Sequence, residues 1–183
     1  ALGAVVGASI SVRQRKLLLT AVVVVGSLVG LFGVAQYFLP HDMLESVGYS
    51  VERGVKPMFF IDDNPELPRV MSTLRDPNSL GAYLILPLLM TGYALAGRKV
   101  NKGLFIRPFR RGVLLAIVAV QFTALFLTFS RGALLGLILA VVALLSIVNR
   151  DRAGDWLKRF WYIPFAVLLL SFGSLYALRD SSL

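Results

Sequence analysis

The chain has 183 residues, 57% of them hydrophobic, a formal net charge of +9 and no cysteine. With a mean hydropathy of +0.75 and apolar residues gathered in long blocks, this is the composition of a polytopic membrane protein. It is not that of a soluble nucleic-acid binder, whatever its charge. The missing cysteine excludes disulfides, thiolate nucleophiles and thiolate metal sites.

In chain order, residues 1–12 read as the last turns of a truncated span, followed by a basic flank, Arg13-Gln14-Arg15-Lys16. This order does not fit a signal peptide. Residues 17–39 form an uncharged span carrying Gly26 and Gly30 in a close-packing G-x-x-x-G pattern, where a neighbouring helix is expected. Residues 40–76 are acidic and proline-containing and form the one sizeable extramembrane loop. Pro77-Asn78-Ser79 opens a span over 78–97, with a kink expected at Pro87. Residues 98–111 are a short basic loop.

The apolar run from Val113 to Val148 is interrupted by Ser130-Arg131-Gly132. As one helix it would extend about 54 Å, nearly twice the hydrocarbon thickness of roughly 30 Å. Broken there, it gives spans over 113–129 and 133–148, of about 26 and 24 Å. Ser130 is then expected to cap the second span, Gly132 to relax the backbone at the turn, and Arg131 to sit near one membrane surface. A basic stretch, 149–160, precedes a last span over 161–178. The fold expected is all-α: a polytopic integral membrane protein with about five full transmembrane helices plus a partial one, in a single membrane domain with one large loop.

Charge orients it. The loops at 13–16, 98–111 and 150–159 hold thirteen basic residues and two acids, whereas the opposite face holds six basic residues and eight acids. By the positive-inside rule the first set is cytoplasmic, which places loop 40–76 and Arg131 on the outer face. The inner arginines and lysines serve as topology determinants that can touch anionic lipid headgroups.

On the outer side, Arg69 and Arg75 precede a helix start that Asp76 or Asn78 can cap, and Ser130-Arg131 opens a second one. Two helix N-termini and three arginines on one aqueous face suit an anion, above all a phosphate, which arginine grips in bidentate fashion. Candidate anion-binding residues are therefore Arg69, Arg75, Asn78, Ser130 and Arg131. Competing readings make Arg131 a snorkelling anchor and Arg75 an ion-pair partner of Asp76. His41 at a span end is a poor candidate for a general base, and Asp62, Asp63 and Glu66 suit a solvated loop better than a metal site. Tyr37, Tyr83, Trp161 and Tyr162 read as interfacial aromatics.

The stretches Arg69-x-x-Ser-Thr-Leu-x-Asp-Pro-Asn-Ser-Leu-Gly-Ala-Tyr-Leu and Leu-Thr-Phe-Ser-Arg-Gly-Ala-Leu-Leu-Gly, in that order and on one face, resemble the O-antigen ligase and polymerase family. The resemblance covers roughly residues 60–145. It implies a multi-pass enzyme of the bacterial inner membrane whose loop 40–76 is periplasmic. Such an enzyme moves a glycan from an undecaprenyl diphosphate carrier to lipid A core, a growing polysaccharide or a protein. It implies that the anion is the carrier diphosphate, with roles for Arg69 and Arg131 on it, and a histidine base in a loop beyond Leu183, without which the 183 residues alone would be inactive. It implies no metal or other cofactor. A transporter or channel with an outward arginine cluster is the alternative from another class, and a structural membrane scaffold a third.

Overall fold

The computed structural model describes residues 11–62, 64–95 and 98–148. The chain divides into two compact units, Ala1–Leu134 and Leu135–Leu183. The packing and clefts below belong to the first, and of the second only the rest of one helix is among the described residues. The predicted span at 161–178, most of 1–12, and Asp63 lie outside them.

The described residues are mostly helical. They form α1 (Val12–Gln36), a 3-10 turn (Met43–Val47), strands β1 (Phe59–Ile61) and β2 (Asn64–Arg69), α2 (Pro77–Leu95), α3 (Arg98–Leu104), α4 (Arg111–Leu127) and α5 (Arg131–Val148). Of these, α1, α2 and α5 are long and apolar enough to cross a membrane, while α4 is apolar but shorter. The loop 40–76 is not simply irregular, because β1 and β2 pair antiparallel within it, with Phe59 opposite Arg69 and Phe60 opposite Pro68.

The basic flank expected to precede the first full span is instead its first turn. Ser11 Oγ accepts from Gln14 N at 3.2 Å and Gln14 Oε1 accepts from Ser11 N at 2.8 Å, a reciprocal capping box that starts α1 at Val12.

The first unit packs α1, α2 and α4 together through small residues. A Cβ on Gly26 would lie 2.6 Å from Pro87 Cβ, and one on Gly30 would lie 3.5 Å from Gln121 Cα. The G-x-x-x-G face of α1 thus receives the proline of α2 and the backbone of α4. At one end of this packing, Phe105 is buried among Val23, Ala94 and Leu114. At its middle, Gln121 is fully buried, donating from Nε2 to Ser27 Oγ at 3.3 Å and accepting from Thr91 Oγ1 at 3.4 Å. At the other end the segment Val70-Met71-Ser72 is inserted between the helices with no exposed surface. Its backbone has no secondary structure to bond with, so the partners come from elsewhere. Gln36 Oε1 accepts from Met71 N at 3.1 Å and from Ser72 N at 2.8 Å, and Leu127 O accepts from Val70 N at 3.1 Å. Ser72 Oγ donates to Val29 O at 2.7 Å, and Gly33 lies beside it, where a Cβ would meet Ser72 Cβ at an ordinary contact of 3.6 Å.

Candidate functional site

The plug fixes what flanks it. Arg69 is the last residue of β2, one position before Val70, and its guanidinium bridges two helix ends. Nε donates to Thr128 O at 3.0 Å, capping the C-terminus of α4, and Nη2 donates to Asn78 Oδ1 at 3.3 Å in the first turn of α2. Two of the five guanidinium donors are used and three remain.

The break between α4 and α5 lies where Arg131 predicts it, but glycine does not make the turn. Phe129 takes the left-handed backbone with φ 48°, whereas Gly132 lies inside the first turn of α5. The turn is held by side chains: Thr128 Oγ1 accepts from Ser130 N at 3.1 Å, and Ser130 Oγ accepts from Ala133 N at 3.3 Å. A bulky residue at this C-terminal position costs about 1–2 kcal/mol relative to glycine.

The N-terminal turns of α2 and α5 touch. A Cβ on Gly81 would lie 2.5 Å from Ala133 Cβ, so only glycine allows this approach. It brings Arg131 to the same cleft as Arg69 and Asn78. That cleft has a volume of about 540 Å³; its remaining walls are Phe60, Ile61 and Asp62 on the hairpin, with Phe126, Phe129, Gly132 and Leu134 around the turn. Arg131 is exposed and makes no side-chain hydrogen bond to the described residues.

Three of the five residues singled out by sequence therefore meet: Arg69, Asn78 and Arg131. The other two do not line the cleft. Arg75 is exposed, and Ser130 is buried with its hydroxyl oxygen engaged as a cap. The helix cap at α2 is Asp76 rather than Asn78. Its Oδ1 accepts from Ser79 N at 2.9 Å and its Oδ2 from Ser79 Oγ at 2.7 Å. These bonds hold its carboxyl below the ordinary value of 3.8, led by the Ser79 hydroxyl, then the Ser79 amide, with a smaller Coulombic contribution from Arg75. No hydrogen bond joins Arg75 to Asp76.

Sequence reasoning missed the aromatic wall. Phe60 was findable, because reading Phe59-Phe60-Ile61 as a strand with a turn at Asp-Asp-Asn would have placed it beside Arg69. Phe126 and Phe129, with centroids 6.0 Å apart, have no signal that separates them from other span phenylalanines. His41 lies off this cleft, edge-on to Phe60 at 5.1 Å. It lines a second cleft of about 410 Å³ with Asp42, Glu45 and Lys56. Among the described residues, no three carboxylate or imidazole groups converge as a metal site.

Fold and cleft together define a helical protein of membrane-type composition with a cleft lined by two arginines. No family model, curated protein or solved structure matches the chain.

Proposed function

We propose that the cleft binds the diphosphate of a polyprenyl-linked glycan on the outer face of the bacterial inner membrane, and that the protein acts in transferring the glycan to an acceptor hydroxyl. One observation carries this reading. Arg69 and Arg131, sixty-two positions apart in sequence, line one cleft that is also lined by Phe126, Phe129 and Leu134. A diphosphate is served by the guanidinium donors, and the first isoprene units of a carrier by the apolar wall.

In the reaction, the acceptor oxygen forms a bond to the anomeric carbon as the bond from that carbon to the diphosphate breaks. Negative charge grows on the leaving diphosphate, where the two guanidinium groups stabilise it. Arginine cannot take the hydroxyl proton, so that proton goes to a base outside this pair. The acceptor classes remain lipid A core, a growing polysaccharide or a protein. A transport reading has less support, because among the described residues Gln121, Thr91 and Ser27 bond to one another and Gln36 Oε1 bonds to the plug.

The test is glycan transfer in membranes from an undecaprenyl diphosphate-linked glycan, alongside binding of the carrier to the 183-residue chain. Arg131→Ala and Arg131→Lys should both lose transfer and carrier binding. Unchanged transfer and binding in both would return Arg131 to a snorkelling anchor.

A further inference from the structure

At the Phe105 end, three helices begin with positive charge. α1 carries Arg13, Arg15 and Lys16 in its first five residues, α3 opens at Arg98, and α4 has Arg110 at its cap and Arg111 as its first residue. None of the three has an acid in its first turn, and segments 11–16 and 98–111 contain no Asp or Glu. Cations at helix N-termini oppose the helix dipole and repel one another.

The loop that carries them is nonetheless built to hold them in place. Phe105 plugs it into the core, edge-on to Phe109 at 5.0 Å. Asn101 clasps it, donating from Nδ2 to Phe109 O at 2.7 Å and accepting at Oδ1 from Phe109 N at 3.1 Å. Lys16 Nζ donates to Lys102 O at 2.7 Å, and Ile106 N donates to Thr20 Oγ1 at 3.3 Å, tying the loop to α1. Arg13, Arg15, Lys102, Arg107, Arg110 and Arg111 are all exposed. None of their side chains bonds to another described residue.

Among the described residues, these segments hold no counter-charge for so ordered a cluster, and its height is set by the helices. Lys16 is followed at once by Leu17, and Arg111 by Gly112-Val113, so the cations stand within about one helical turn of the apolar segments. We propose that this face is a docking platform for anionic phospholipid headgroups, of the phosphatidylglycerol or cardiolipin type. It would use the guanidinium groups on the 102–111 loop and the start of α1. The inference assumes that α1 and α4 lie in the bilayer and does not depend on the glycan reading.

The experiment places the chain in phosphatidylcholine bilayers containing a trace of spin-labelled phosphatidylglycerol or spin-labelled phosphatidylcholine, and measures the motionally restricted fraction of each. Phosphatidylglycerol should be enriched roughly fivefold or more, with the enrichment falling as salt rises. The triple variant Arg107→Gln/Arg110→Gln/Arg111→Gln should bring the ratio close to parity. Asn101→Leu keeps every charge but removes the clasp, and should lower the ratio at least twofold. Parity in the wild type, or an unchanged ratio in the triple variant, would overturn the proposal. An unchanged ratio in Asn101→Leu would overturn the claim that the loop's fold builds the platform. Displacement of the labelled lipid by soluble glycerol phosphate would assign the cluster to a free anion instead.

Discussion

Arg131 and Arg69 line the same cleft but are not equivalent probes of it. Arg131 makes no side-chain hydrogen bond to the described residues, so Arg131→Ala should leave thermal stability almost unchanged. Carrier diphosphate binding should fall by about 2 kcal/mol, roughly thirtyfold, read by titration with undecaprenyl diphosphate. Arg69 also ties the end of α4 to the start of α2. Arg69→Ala should therefore lower the melting temperature as well, by the equivalent of about 1–3 kcal/mol. Asp76 offers a prediction at the same scale. Its folded carboxyl is held below 3.8, so its cap contributes fully above that value and is lost as pH falls through the lower folded value. A melting curve series from pH 5 downward should show this loss in the wild type, with a shallower dependence in Asp76→Asn. Some of this residue-level detail was legible: the break at Arg131 followed from length and charge cost, and Ser130 as a cap from residue type. Gly132 was a wrong choice for the turn because helix-end glycines are common, whereas Phe129 carries no local mark of a left-handed backbone.

Among elements, the two glycine contacts do different work. Gly26 seats Pro87, so Gly26→Ala should destabilise by about 1–3 kcal/mol through overpacking, measured by thermal unfolding in detergent. Gly81 sets the spacing between the first turns of α2 and α5, and hence the position of Arg131 relative to Asn78. Gly81→Ala should cost carrier binding more than its effect on stability alone would give. Phe129 lies between these cases: Phe129→Gly relieves the backbone but removes apolar wall, so stability should hold or rise while carrier affinity falls. The helices were legible as apolar blocks, with ends shifted where caps decide them, as at Ser11. The plug was not legible. Val70-Met71-Ser72 has no period, and its burial depends on Gln36, a residue that reads from sequence only as a rare polar group in a span.

For the whole molecule, the absence of cysteine makes topology directly measurable. Single substitutions Glu66→Cys and Arg107→Cys should label from opposite sides of sealed vesicles with an impermeant maleimide, the first from the outer side. Labelling of both from one side would overturn the orientation on which the outer-face cleft depends.

The plug also has a consequence in time. Its three backbone amides are satisfied by Gln36, which is made before it, and by Leu127, made more than fifty residues after it. During synthesis the loop can therefore lean on α1 but cannot close until α4 has emerged. Arg69 reaches its place only when Thr128 is there to receive it. The cleft is thus among the last features to form, and a chain stalled before α4 would carry Arg69 unanchored.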